Sequence, residues 1–168
     1  MSQTSSVHEA FFPAGEAPID AVAPIDAGAL DTGRPDTTLA LTRGVWRLMS
    51  DMGLAVIPEF KLPNGRRADL CGLCPKGEVV IVEIKSCWQD LASDAKWPEY
   101  RDYCDRFYFG VNEIFPLERL PEDEGVIVAD AFGGAILRES AQAKLAGARR
   151  KATTLRFARQ AAFGWASA

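Results

Sequence analysis

The sequence has few of the residues that zinc centres and disulfide frameworks need. It contains one histidine, His8, and four cysteines in 168 residues. Four cysteines at this length are too few for a disulfide scaffold, so in a reducing compartment we expect free thiols. Cys71 and Cys74 have the spacing of zinc ligands, but two further ligands would have to converge on them. We therefore interpret both as buried thiols.

Long apolar runs and an export signal are also absent. No stretch approaches the roughly 18 uncharged apolar residues that a membrane-spanning helix needs. The segment Met1 to Ser6 contains no base ahead of an apolar run, as a secretory signal would. With 48% hydrophobic and 25% charged residues, the composition is that of one globular domain. These absences predict a cytoplasmic protein with no membrane association.

The net charge of −4 conceals an uneven distribution along the chain. Residues 1–36 carry six acids and one base, and they are rich in alanine and proline. Such a segment buries too little apolar surface to offset its ordering entropy, so we predict a disordered acidic tail over 1–36 and a folded domain over 37–168. Residues 141–168 contain six bases and no acid, so the tail masks a basic C-terminal end.

The order of predicted elements indicates an α/β fold around one mixed sheet. Helical spacing, strand patterns and turn residues predict a helix, three strands, a short helix, a strand, a hairpin and a final basic helix. Their approximate bounds are 36–52, 54–62, 67–74, 79–85, 98–105, 106–111, 125–137 and 147–163. This αβββαβ core, flanked by helices and extended by a C-terminal hairpin and helix, is an α/β sandwich.

The third strand, Val79 to Lys85, departs from its apolar pattern at two positions. The run is otherwise continuous apolar sequence, as in a strand buried on both faces. Glu83 and Lys85 are two residues apart, so their side chains lie on one face. Because burial of an unpaired charge is costly, the two either pair with each other or reach water at the strand end. A structural ion pair is sufficient to explain both.

The preceding turn brings a second carboxylate to this face. Pro75-Lys76-Gly77 fits a three-residue hairpin loop with Gly77 in the left-handed conformation. In that register Asp69 lies opposite Glu83, with the Cβ atoms about 4.5–5.5 Å apart. Two carboxylates this close repel unless they share a proton or a cation, and Mg²⁺ often binds one or two carboxylates. We therefore predict a divalent metal at this pair, with Lys85 available to a phosphate or a metal-bound water.

A third carboxylate ligand has less support. Counting across the Asn64-Gly65 turn sets Phe60, and not Glu59, opposite Asp69. A bulge at Pro58 would return Glu59 toward the site, so it is kept as a minor candidate.

The pattern resembles the PD-(D/E)XK nuclease superfamily. Asp69 is followed, after thirteen residues, by Glu83-Ile84-Lys85 on the next strand. From Thr37 to about Arg159 the chain is similar, more specifically, to the MmcB group of bacterial DNA repair proteins. The segments that carry this similarity are Arg67-Ala68-Asp69-Leu70, Val82-Glu83-Ile84-Lys85-Ser86, Lys96-Trp97-Pro98-Glu99-Tyr100, Cys104-Asp105-Arg106-Phe107-Tyr108-Phe109 and Val128-Ala129-Asp130.

The resemblance implies a restriction-endonuclease-like fold and hydrolysis of DNA phosphodiesters assisted by Mg²⁺ or Mn²⁺. In such a site Asp69 and Glu83 bind the metal through their carboxylates, and Ile84 binds it through its backbone carbonyl. Lys85 orients the attacking water. The implied partners are DNA and other DNA repair proteins.

Two alternatives to a nuclease remain open. Ala68 replaces the proline of the motif, and the first helix offers only Asp51 where many active members carry a glutamate. Members of the superfamily also serve as modules that do not cleave, so the alternative is a catalytically inactive DNA-binding or adaptor module of a repair pathway. A third interpretation is a small α/β domain in which Asp69, Glu83 and Lys85 form only a structural charge cluster.

Further candidate contacts to DNA lie downstream of the motif. Lys96 and Tyr100 are four residues apart at the start of the second helix, and Lys96 with Asp94 would flank a phosphate path. Tyr100 is equally compatible with the core. Among the five bases of the C-terminal helix, three arginines are the candidates, and they either contact phosphates or solvate its outer face: Arg149, Arg150 and Arg156.

Overall fold

The computed structural model describes residues 36–166. The predicted tail over residues 1–36 therefore lies outside the described residues, apart from its last position. The described elements are α1 (Asp36–Asp51), β1 (Ala55–Lys61), β2 (Arg67–Leu73), β3 (Val79–Lys85), α2 (Trp88–Ser93), a 3₁₀ helix (Trp97–Tyr103), β4 (Arg106–Val111), a 3₁₀ turn (Leu117–Arg119), β5 (Gly125–Ala129), β6 (Gly134–Arg138) and α3 (Gly147–Ala166).

The described strands form one mixed sheet in the order β1-β2-β3-β4-β5-β6. The first three strands form an antiparallel meander, β3, β4 and β5 are parallel, and β6 is antiparallel to β5. Parallel neighbours need a crossover, and α2 with the 3₁₀ helix provides it between β3 and β4. The predicted αβββαβ order, the mixed sheet and the C-terminal hairpin and helix are confirmed.

Two hydrophobic clusters place the sheet between helical layers. On one face, Leu41, Val45 and Met49 of α1 pack in a cluster that includes Val82 and Ile84 of β3. The opposite face is covered by the 3₁₀ helix and α3, whose Tyr100 and Phe157 belong to the second cluster. Since side chains alternate along a strand, residues 83 and 85 face the second layer. All seven residues of β3 are buried.

The segment between β3 and β4 differs from its predicted form. The predicted connection over residues 88–96 contains a short α-helix, and the predicted helix at 98–105 is a 3₁₀ helix over Trp97–Tyr103. Pro98, in its first turn, has no N–H to leave unsatisfied there. The 3₁₀ helix packs its aromatic residues on β4: Trp97 lies 5.7 Å from Phe107, measured between ring centroids.

The described residues also bear on the predictions of free thiols and of no membrane-spanning helix. Cys71, Cys74 and Cys104 are buried free thiols, and Cys87 is half-buried and also free. Burial raises the pKa of the Cys71 thiol well above its usual range. No helix within residues 36–166 is both long and apolar enough to cross a bilayer.

Candidate active site

Asp69 and Glu83 meet where the β2–β3 ladder ends. The register runs up to Leu70 paired with Val82, and Gly77 forms the turn with φ of +80°. One pair further along, the same register sets Asp69 across from Glu83. The predicted three-residue turn and the juxtaposition of these two carboxylates are therefore correct.

The Asp69 side chain takes the place of a backbone acceptor. Its Oδ2 accepts the N–H of Ile84 at 2.8 Å. In a regular antiparallel ladder that N–H would donate to the carbonyl of Ala68, since hydrogen-bonded pairs recur every second residue. The carbonyl of Ile84 points to the same side of β3 as its N–H, so it also faces β2. The resemblance assigns this carbonyl to the metal, and that role stays a prediction.

Glu83 is a buried carboxylate with one unsatisfied oxygen. The residue is 7% exposed, and its Oε2 has no hydrogen-bond partner among the described residues. Burial, together with the negative charge of Asp69, raises the pKa of Glu83 to about 8, although Lys85 opposes the shift. A divalent cation bound beside Glu83 would compensate the charge of its carboxylate and lower this pKa again.

Lys85 lies between two carboxylates. Its Nζ donates to Asp94 Oδ2 at 2.6 Å and to Glu83 Oε1 at 3.3 Å. Burial lowers the pKa of Lys85, but the hydrogen bond to Asp94 and the charge of Glu83 outweigh it, so the net pKa lies above the ordinary value. Burial likewise raises the pKa of Asp94, and the bond from Lys85 more than reverses this effect. The result is a buried ion-pair chain from Asp94 through Lys85 to Glu83.

Asp94 in this role is the residue that sequence reasoning missed. The sequence placed it beside Lys96 along a phosphate path, whereas the structure turns its carboxylate inward to Lys85. The only signal in the sequence was an acid nine residues after a lysine that a buried strand cannot leave unpaired.

The site suits a hard divalent cation. Mg²⁺ and Mn²⁺ prefer oxygen ligands, and Mg²⁺ often takes only one or two carboxylates and keeps several waters. Asp69, Glu83 and the Ile84 carbonyl supply such a partial set, and the unsatisfied Glu83 Oε2 is the atom that a cation would engage. Within residues 36–166 no three histidine, cysteine, aspartate or glutamate side chains group into a metal site of their own. A cation held here would therefore complete its coordination with water.

The register of β1 corrects the prediction for Glu59. Phe60 pairs with Ala68, so Glu59 and not Phe60 lies across from Asp69. The cause is the hairpin loop, which spans the three residues 63–65 and is closed by a bond between the residues on either side. No bulge is needed to bring Glu59 to this position.

Neither Glu59 nor Asp51 forms a simple third ligand. Glu59 has a positive φ of 52°, which is strained for a residue with a side chain, and its Oε2 lies 2.5 Å from Nε of Arg67. Asp51 is exposed at the end of α1, which packs on the face opposite Glu83. The first helix therefore adds no carboxylate to the site.

Tyr100 and Lys96 have different surroundings. Tyr100 is 5% exposed, and its hydroxyl donates to the carbonyl of Arg67 at 3.1 Å. Burial and the charge of Glu83 both raise the pKa of Tyr100 above its usual range. This placement favours the core interpretation, and a contact between Tyr100 and nucleic acid stays a prediction. Lys96 is exposed and donates its backbone N–H to Asp94 at 2.8 Å, so a contact between its ammonium and DNA stays a prediction.

Arg150, which was predicted to contact DNA, has a structural role in the fold. Its guanidinium donates to both carboxylate oxygens of Asp105, at 2.6 and 2.8 Å, and to the carbonyl of Gly77 at 2.6 Å. Asp105 is 1% exposed, and it also accepts the N–H groups of Val79 and Leu145. The pair thus joins β3 and α3 to the residue that precedes β4.

The other two arginines remain candidates for phosphate contacts. The side chain of Arg149 is 49% exposed, with its guanidinium 5.5 Å from the ring centre of Tyr103. Arg156 is exposed, and its guanidinium lies 3.4 Å from the carbonyl of Lys61. Both lie on α3, which covers the same face of the sheet as the site.

The chain is similar to known proteins over most of its length, and not only at the Asp69–Lys85 motif. The family profile described as DNA repair protein MmcB-like matches residues 25–168. The solved structure of SPO1766, a protein of unknown function from Silicibacter pomeroyi, is 41% identical in sequence with a TM-score of 0.72. The match covers 79% of this chain and 89% of that one. No curated protein matches the chain.

Proposed function

The chain belongs to the MmcB-like family of DNA repair proteins, and from this premise we propose that it is a metal-dependent nuclease that hydrolyses DNA phosphodiesters. A role related to DNA repair follows from the family. The observation that carries the finer proposal is the buried Glu83, whose Oε2 is unsatisfied beside the carboxylate of Asp69. If Glu83 had only a structural role, a hydrogen-bond donor to this oxygen would make the folded protein more stable.

The proposed ligands are Asp69, Glu83 and the carbonyl of Ile84. Mg²⁺ or Mn²⁺, when bound, would polarise the scissile phosphate and lower the pKa of a water. Lys85 contributes a positive charge whose position is fixed by hydrogen bonds. Its ammonium group has three N–H donors, and the contacts to Asp94 and Glu83 use two of them. The third is available to orient a water or a phosphate oxygen at the end of β3.

The second candidate function is a DNA-binding or adaptor module without catalysis. The observation that favours it is the closed ion-pair chain, in which Lys85 already has two carboxylate partners. Under this alternative the chain binds DNA, yet neither folding nor binding depends on a divalent metal.

A cleavage assay separates the two functions. Single-stranded, duplex and branched DNA are each incubated with the full chain, in Mn²⁺ and in chelator. The nuclease proposal expects cleavage in Mn²⁺ alone, and Glu83→Gln and Lys85→Met each lower its rate at least about a hundredfold. Glu78→Gln is the matched control, because Glu78 lies before the other end of β3 and contacts Gln142. DNA binding by the wild type without cleavage of any substrate supports the adaptor instead.

A further inference from the structure

Asp94 is held more tightly than a surface acid in a connecting segment would be. Its side chain is 13% exposed, and both oxygens are engaged: Oδ2 by Lys85 at 2.6 Å and Oδ1 by the N–H of Lys96 at 2.8 Å. The carboxylate therefore has one defined orientation, fixed by the turn that follows α2.

The two distances around Lys85 show what this orientation achieves. Lys85 and Glu83 are neighbours on one face of β3, and alone they would form a close ion pair. Instead Nζ lies 2.6 Å from Asp94 and 3.3 Å from Glu83. The ammonium is therefore bonded more closely to Asp94 than to Glu83. One Glu83 oxygen keeps only this long contact, and the other has no partner among the described residues.

We propose that Asp94 is a positioning residue for the active site, an inference that rests on the proposed nuclease function. It holds Lys85 beside the reacting phosphate and prevents Lys85 from neutralising Glu83, which keeps the Glu83 carboxylate available to a divalent cation. Asp94 acts through Lys85 and contacts neither metal nor substrate.

The test combines two substitutions in a double-mutant cycle. Asp94→Asn removes the charge but keeps the oxygen that accepts the Lys96 N–H, and it is made both in the wild type and in Lys85→Met. Asp90→Asn is the matched control, since Asp90 lies on α2 and bonds to Ser86 instead of Lys85. The readouts are Mn²⁺ affinity by calorimetry, the cleavage kcat, and unfolding by denaturant.

Asp94→Asn should weaken Mn²⁺ binding and lower kcat by about tenfold each, an effect within the range for residues in contact. In the Lys85→Met background the same substitution should change kcat less than about twofold and Mn²⁺ affinity less than about threefold, because its target is gone. Asp90→Asn should change neither quantity. If Asp94→Asn does not fold, Asp94→Glu, which displaces the charge by one methylene, is used with the same expected direction.

Two results overturn the positioning role while leaving the proposed function intact. One is a destabilised Asp94→Asn with unchanged Mn²⁺ affinity and kcat, which makes the contact purely structural. The other is an equal loss in both backgrounds, which shows that Asp94 does not act through Lys85. A wild type that neither binds Mn²⁺ nor cleaves DNA overturns the proposed function first, and the positioning role with it.

Discussion

The Asp69 carboxylate accepts the backbone N–H of Ile84 at 2.8 Å, so a side chain on β2 is bonded directly to the residue between Glu83 and Lys85. Because the donor is a backbone group of β3, this bond holds the Asp69 carboxylate beside Glu83 whenever the protein is folded. A site whose ligands are oriented by such bonds is organised before any cation arrives. The cost is seen in the pKa of Glu83, which is raised first by burial and then by repulsion from the Asp69 carboxylate.

The stability of the metal-free protein should therefore fall as pH rises. The pKa of Glu83 is about 8 in the folded protein against 4.5 for an ordinary glutamate, so between these values the folded state binds more protons than the unfolded state. The contribution is fully present below pH 4.5 and is lost as pH rises through 8. We expect urea melts to show a decrease on the order of 3 kcal/mol across this window. Glu83→Gln should remove most of it, and an identical slope in both proteins would show that Glu83 is not the group responsible.

Lys85→Met and Glu83→Gln should have unequal effects on stability at neutral pH. The closer partner of Lys85 is Asp94, so Glu83→Gln leaves Lys85 paired, whereas Lys85→Met leaves Asp94 without its cation. We expect Lys85→Met to cost about 3 kcal/mol and Glu83→Gln to cost nothing or to stabilise slightly. Denaturant melts in chelator measure both. Equal destabilisation by the two would show that Glu83 and Lys85 form a simple structural pair.

The β2–β3 half of the site could be predicted from the sequence because its geometry is local. Pro75-Lys76-Gly77 specifies a loop with one left-handed residue, and from it the register of Asp69 against Glu83 follows by counting. The same counting failed at Asn64-Gly65. That dipeptide fits a two-residue turn, but here Gly65 is the last of three loop residues, with φ of +82°.

The remaining contacts could not be predicted because they depend on how separate elements pack against one another. Arg150 bonds to Asp105 across forty-five residues, and no pattern in a basic helix distinguishes the half-buried Arg150 from its exposed neighbour Arg149. Likewise Asp94 directly follows the last residue of α2, and its contact with Lys85 depends on how α2 is placed relative to β3. Tertiary packing decides such pairings, and periodicity describes only which face of an element is apolar.

Arg150→Ala should destabilise the fold strongly, and Arg149→Ala should not. Removal of Arg150 leaves the buried Asp105 carboxylate without its cation, whereas half of the Arg149 side chain is exposed. We expect a loss of about 3–5 kcal/mol for Arg150→Ala and less than about 0.5 kcal/mol for Arg149→Ala in denaturant melts. Similar values for the two variants would contradict the structural role assigned to Arg150.

The exposed arginines of α3 should contribute to DNA affinity through phosphates. Arg149→Ala combined with Arg156→Ala should weaken binding to all sequences alike and reduce the slope of log affinity against log salt by about 1–2, because fewer counterions are released. Fluorescence anisotropy over a range of salt concentrations measures the slope. Arg43→Ala is the matched control, since Arg43 is exposed on α1 across the sheet. If the slope of log affinity against log salt is the same as in the wild type, these arginines only solvate the outer face of α3.

Calorimetric titration of the full chain with Mn²⁺ tests most directly whether Asp69 and Glu83 form a metal site. We predict that the wild type and Glu78→Gln each bind one Mn²⁺ per chain, and that Glu83→Gln binds none while its metal-free fold is at least as stable as the wild type. The contrary result is a wild type that shows no binding at millimolar Mn²⁺, together with a clearly destabilised Glu83→Gln. That outcome would make Glu83 a structural partner of Lys85 and leave the nuclease proposal without its metal.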